Sequence, residues 1–206
     1  MAATIEFVFD FASPNGYLAY KAIVPIAARH GAQIKILPCL LGGIFKETGN
    51  QAPMITFAKI KGKLEYERVE FARYLERYKL TDFKFNPHFP VNTVMLMRGA
   101  VVAQMEDALE RYVEAGLKMM WEDGLKMDDP EVFVAALSDA GFDGPHFAAR
   151  IQEDAVKAKL FENTAAAVER GAFGVPTFYV DGEMYFGKER MAQIEEQYRR
   201  MAFNIV

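Results

Sequence analysis

The run Thr4-Ile5-Glu6-Phe7-Val8-Phe9-Asp10-Phe11-Ala12-Ser13-Pro14-Asn15-Gly16-Tyr17-Leu18-Ala19 passes from strand pattern to helix pattern without a gap. Ile5, Phe7, Phe9 and Phe11 alternate with Glu6, Val8 and Asp10, which gives a strand one face to bury. Ser13 and Pro14 stand at the junction, and helical character continues towards His30. Serine before a helix with proline at its first position is an ordinary way to begin one. The same arrangement puts a hydroxyl where unpaired N–H groups and the positive end of the helix dipole favour an anion, whether phosphate, carboxylate or thiolate.

Gly31 follows as a C-terminal cap, and Gln33 to Leu37 returns to strand pattern with Ile34 and Ile36 on one face. This is a βαβ unit with parallel strands. After Pro38 comes a glycine-rich loop, Gly42-Gly43 and Gly49-Asn50, and then a helical region from about Phe57 to Tyr78. Thr81 to Pro90 is turn-rich, and Asn92-Thr93 can cap a long helical stretch ending near Asp123-Gly124. Asp129-Pro130 starts a shorter helix closed by Gly141, and helical pattern runs again from Phe147 to Arg170. Thr177 to Val180 reads as a strand, Asp181-Gly182 as a hairpin turn, Met184 to Phe186 as a second strand, and Lys188 onward as a helix.

The order βαβ, helices, ββα fits an α/β, thioredoxin-like fold with a large all-helical insertion, in which both chain ends share one sheet. The expected division is a discontinuous sheet domain, residues 1–40 and 172–206, and a helical insertion, residues 41–171. With 206 residues, 51% of them apolar, the chain can bury such a core. The net charge of −4 shows no basic cluster for nucleic acid or an anionic membrane. Cys39 is alone, so the chain supplies neither a disulfide nor a C-x-x-C pair, and His30, His88 and His146 lack ligand spacing for a metal. No leader-like or membrane-spanning stretch is evident, which suggests a cytoplasmic protein.

Gly174-Val175-Pro176-Thr177 precedes the late strand, where an X-Pro bond can be cis. In the expected fold this turn meets the one carrying Ser13. Proline there has no N–H, while Val175 can offer its own N–H and C=O to an extended, peptide-like ligand. Together the two turns predict a thiol or peptide site.

The pieces Phe9-Asp10-Phe11-Ala12-Ser13-Pro14, Gly49-Asn50, Phe173-Gly174-Val175-Pro176-Thr177 and Phe186-Gly187-Lys188-Glu189-Arg190-Met191 span nearly the whole chain. In order and spacing they resemble the 2-hydroxychromene-2-carboxylate isomerases and kappa-class glutathione transferases, a DsbA-like branch of the thioredoxin superfamily. The resemblance implies glutathione as the thiol cofactor, with Ser13 in place of a redox cysteine and hydrogen-bonded to the bound sulfur. It also implies that Val175 holds the cysteinyl backbone, that Gly187, Lys188 and Glu189 lie at the γ-glutamyl end, and that Asn50 and Lys59 contact the ligand. The family more often has a small or amide residue followed by Asp where Lys188-Glu189 stand, and Lys61 and Lys63 compete with Lys59.

Phe45, Phe57, Phe89, Met95, Met97 and Trp121 are candidates for an apolar substrate pocket or for ordinary core. Tyr66, Glu70 and Arg73 fall at helical spacing and suit a surface network. The resemblance implies a glutathione-dependent isomerase acting on a small aromatic 2-oxo or hydroxychromene carboxylate by reversible thiolate addition, and a homodimer. The alternatives are a kappa-class-like glutathione transferase and a noncatalytic thioredoxin-like peptide-binding module. A disulfide oxidoreductase is disfavoured, since Ser13-Pro14-Asn15-Gly16 holds no cysteine.

Overall fold

In the computed structural model, which describes residues 4–203, both chain ends build one sheet. Strand β1 (Thr4–Phe9), helix α1 (Pro14–His30) and strand β2 (Gln33–Pro38) form the expected βαβ unit, with β1 and β2 parallel from Thr4↔Gln33 to Phe9↔Pro38. Strand β3 (Thr177–Val180) lies antiparallel on the other side of β1, and β4 (Glu183–Phe186) pairs antiparallel with β3, giving the order β2-β1-β3-β4. Asp181 and Gly182 join β3 to β4 with φ of 50° and 80°, the two left-handed residues that match a tight hairpin to strand twist.

Between the sheet halves come α2 (Leu41–Thr48), α3 (Pro53–Thr56), α4 (Lys63–Arg77), α5 (Val94–Met105), α6 (Leu109–Trp121), α7 (Pro130–Asp139), α8 (Gly144–Arg150) and α9 (Asp154–Glu169). A 3-10 turn, Lys188–Arg190, leads from β4 into α10 (Met191–Phe203). No helix among the described residues is long and apolar enough to cross a membrane.

Four expectations need correction. The segment read as a glycine loop is helical as α2, because Gly43 lets that helix close on α9: a Cβ there would stand 3.0 Å from the Thr164 methyl. The helix expected from Phe57 starts only at Lys63, after Gly62 turns the chain with φ 80°. The long stretch after Thr93 breaks into α5 and α6 around Asp107, which is left-handed at φ 54°. The stretch from Phe147 to Arg170 divides into α8 and α9 between Arg150 and Asp154.

Strand β1 also departs from its alternating pattern, since Phe7, Val8 and Phe9 are all fully buried. Phe7 and Phe9 face a large core shared with α1, α5 and α6, while Val8 faces a smaller one with Cys39, Ile44 and Ala167. A central strand covered on both faces loses the in/out alternation of a half-exposed one. Across β1 and β3 the paired Phe7 and Phe178 stack with ring centroids 4.6 Å apart. Each such buried ring contributes about 1.5–3 kcal/mol by area.

Candidate functional site

Ser13 is extended at φ −96°, ψ 115°, and its Oγ accepts the Gly16 N–H at 3.1 Å, so it caps α1 as its sequence predicts. Its hydroxyl proton is directed to the Val175 carbonyl at 3.3 Å. That is long for an O–H···O bond and readily exchanged for a better acceptor. Accepting a helical N–H while donating outward polarises the O–H, and the α1 terminus adds partial positive charge.

The Val175–Pro176 bond is cis. Val175 is 7% exposed, and its N–H donates to no acceptor among the described residues. An unpaired N–H in so enclosed a position is costly unless a ligand completes it. The donor therefore fits the extended amide of a peptide-like ligand, with the Ser13 hydroxyl beside it.

Two more expected residues join this segment. Asn50, just past α2, donates from Nδ2 to the Phe173 carbonyl at 2.7 Å, and Gly187 donates its N–H to the Pro176 carbonyl at 3.0 Å. Gly187 has φ 99° and ψ 154°, a conformation essentially reserved for glycine, and a Cβ there would lie 2.8 Å from a Glu189 carboxylate oxygen. Lys188 is buried at 4% exposure, ion-paired with Glu189 and 5.6 Å from the Tyr74 ring centroid. Tyr74 returns a hydrogen bond to the Lys188 carbonyl at 3.1 Å.

Lys59 is not drawn into this group: it lies exposed in the turns between α3 and α4. Lys63 is engaged elsewhere, 2.6 Å from Glu67 and over the Phe57 ring. Glu70 and Arg73 pair on the α4 surface, as their spacing suggests. Of the apolar candidates, Met97 and Trp121 are fully buried core, whereas Phe45 packs on Gly174, where Phe186, outside that set, joins it.

Gly116 and Asp10 shape the site without a role assigned from the sequence, and Trp121 and Thr93 do so in roles other than those expected. The Trp121 indole donates to the Phe11 carbonyl at 3.0 Å, and Gly116 makes room for the Phe11 ring, which a Cβ would approach to 2.5 Å. Asp10 accepts from the Ala12 N–H at 2.9 Å, the Leu41 N–H at 2.7 Å and the Thr93 hydroxyl at 2.7 Å. Thr93 was expected to cap a helix, but its hydroxyl is spent on Asp10. Burial raises the Asp10 carboxyl above the usual carboxylate range, against the lowering effect of those three donors.

A cavity of about 1040 Å³ opens at the other end of the sheet, among Thr4, Gln33, Lys35 and Glu110. It borders the starts of β1 and β2, a strand length of about 20 Å from the end that carries Ser13. The chemistry described above lies elsewhere.

The chain is 29% identical to 2-hydroxychromene-2-carboxylate isomerase of Pseudomonas sp. (strain C18), over 93% of this chain and 88% of the relative. It is 30% identical to glutathione S-transferase kappa 1 of Rattus norvegicus, over 91% and 87% respectively. A solved structure of 2-hydroxychromene-2-carboxylate isomerase superposes with a TM-score of 0.84 at 27% identity, covering 97% of this chain and 96% of that one. The family model of the DSBA-like thioredoxin domain matches residues 4–199. A thioredoxin fold whose helix α1 begins with serine rather than cysteine thus has similar counterparts among isomerases and transferases, and the chain belongs to the DSBA-like thioredoxin family, in its 2-hydroxychromene-2-carboxylate isomerase and kappa-class glutathione transferase branch.

Proposed function

We propose that this protein is a glutathione-dependent isomerase of a small aromatic 2-oxo or hydroxychromene carboxylate. The observation that carries the reading is the unpaired Val175 N–H beside a serine hydroxyl at a helix N-terminus. A cysteinyl amide would satisfy the first group and its sulfur the second. Bound glutathione would supply a thiolate that adds reversibly to the conjugated substrate, loosens a double bond for rotation and leaves unchanged.

The chain's own residues bind and bias. Ser13 turns its proton from the Val175 carbonyl to the sulfur, favouring thiolate over thiol, as helix N-termini do for cysteine. Val175 orients the ligand backbone, and Asn50 holds the segment through the Phe173 carbonyl. Glu189, now paired with Lys188, offers a carboxylate to the ligand's ammonium. Aromatic-compound degradation, a homodimeric state and a cytoplasmic location go with this reading.

The test is calorimetric titration of glutathione into wild type and Ser13→Ala, with thiolate absorbance followed across pH. Saturable binding, with a thiol pKa below that of free glutathione in wild type and higher in the variant, is the expected result. Absence of saturable binding would overturn the proposal.

A further inference from the structure

Among the described residues Asp10 is the only buried carboxylate, and the proposed reaction gives it no step. Removing a carboxylate from water is expensive unless its oxygens are fully engaged. Here they are engaged without a cation, by the Ala12 and Leu41 N–H groups and the Thr93 hydroxyl. Those donors come from the turn that carries Ser13, from the first residue of α2, and from the residue before α5. Leu40, at the N-cap of α2, has no side chain able to cap it, so Asp10 does that work from another element.

The connections run in a closed circuit. Asp10 Oδ2 holds Leu41, α2 leads to Asn50, and the Asn50 amide holds the Phe173 carbonyl. Two residues on, the Val175 carbonyl receives the Ser13 hydroxyl, and the Ser13 N–H returns to the Asp10 carbonyl at 3.3 Å. Every group proposed to meet the ligand's cysteinyl residue is on this circuit. A helix and two turns joined to one another mainly by side-chain bonds would otherwise be free to shift by the ångström that such sites do not tolerate.

We propose that Asp10 is a positioning residue: its carboxylate closes the circuit and so fixes the Ser13 hydroxyl relative to the Val175 backbone and the Asn50 amide. The geometric part stands by itself, and only its consequence for binding rests on the glutathione reading.

Asp10→Asn keeps the volume but turns one oxygen into an NH₂ group that faces a donor. Thr93→Val removes one bond and leaves Asp10 in place, while Thr93→Ser restores the hydroxyl. Leu137→Ala, in the fully buried part of α7, serves as a variant of lowered stability away from the circuit. Amide exchange would be read by NMR on the ligand-free protein, below each variant's unfolding range. The Gly16 N–H, which is shared between the Ser13 Oγ at 3.1 Å and the Ser13 carbonyl at 2.9 Å and so reports the placement of the whole residue, should exchange at least tenfold faster in Asp10→Asn and Thr93→Val. It should stay near the wild-type rate in Thr93→Ser and Leu137→Ala.

A Gly16 rate no faster in Asp10→Asn than in Leu137→Ala would overturn the proposal. If Asp10→Asn does not fold, the contrast between Thr93→Val and Thr93→Ser decides in its place. Glutathione affinity should fall about tenfold in the same two variants that loosen Gly16. If wild type binds no glutathione, the functional reading fails while the exchange rates still judge the circuit.

Discussion

The two β-to-α junctions at one end of the sheet are built from similar parts and have opposite chemistry. Ser13 follows β1 and is the N-cap of α1; Cys39 follows β2 and stands one residue before the N-cap of α2. The backbones are neighbours, with the Cys39 N–H donating to the Phe9 carbonyl at 3.0 Å. Ser13 keeps a long, exchangeable bond to Val175. Cys39 is fully buried and gives its thiol proton to the Asn163 carbonyl at 3.4 Å. Burial, aided by the nearby Asp10 charge, pushes that thiol far above its ordinary value. A helix N-terminus activates the group that occupies its cap, and one residue of offset is enough to turn a potential nucleophile into packing.

The comparison breaks most sharply at Ser13. Ser13→Ala should lower turnover of an accepted substrate by about 100- to 1,000-fold, the loss typical of one donor aimed at developing charge. Its stability cost should be only about 1 kcal/mol, that of a lost N-cap. Steady-state rates and thermal melts on the same preparation check both, and equal rates with and without the hydroxyl would remove Ser13 from the chemistry. Asn50→Ala comes next, since it frees the Phe173 carbonyl and slackens the Val175 backbone. Glutathione binding should weaken about fivefold, corresponding to one hydrogen bond of about 1 kcal/mol, with little change in turnover at saturation.

Cys39 supplies the opposite test. A thiol-labelling reagent should react with the native protein only as fast as the protein opens, and within seconds in denaturant. Cys39→Ser should leave activity within about twofold and cost about 1–3 kcal/mol through imperfect burial of the hydroxyl. A Cys39→Ser variant as inactive as Ser13→Ala would erase the distinction between the junctions.

The sequence made the first junction legible because its signals are local. Serine, proline and an alternating strand lie within a few residues, and Gly31 and Asp181-Gly182 mark positive-φ turns that the structure contains. The second junction was hidden by Gly42-Gly43, which resembles a loop; what keeps it helical is the approach of Thr164, 121 residues away from Gly43 along the chain. Asp10 read as the polar face of a strand because two of its three partners, Leu41 and Thr93, are distant in sequence. Lys59 is a different case, since its place near a ligand came from a family spacing and the turns of residues 57–62 leave it exposed, with no local signal of its own.

The finest test of the comparison is the charge that the two junctions share. Desolvation raises the Asp10 carboxyl, outweighing the Ala12, Leu41 and Thr93 donors. The native state then keeps the proton at pH values where the unfolded chain has lost it. Stability from this group is therefore complete below the ordinary carboxylate value and declines as pH rises through the raised native one. Asp10→Asn has nothing to titrate there. The unfolding free energy of wild type minus that of Asp10→Asn, from denaturant melts at a series of pH values, should fall over that window and level off above it. A difference that rises with pH would mean that the donors dominate and that α2 is capped by a full negative charge. In that case Asp10 would oppose a thiolate bound near Ser13 electrostatically while holding the hydroxyl that stabilises it, and the two junctions would be coupled through charge as well as geometry.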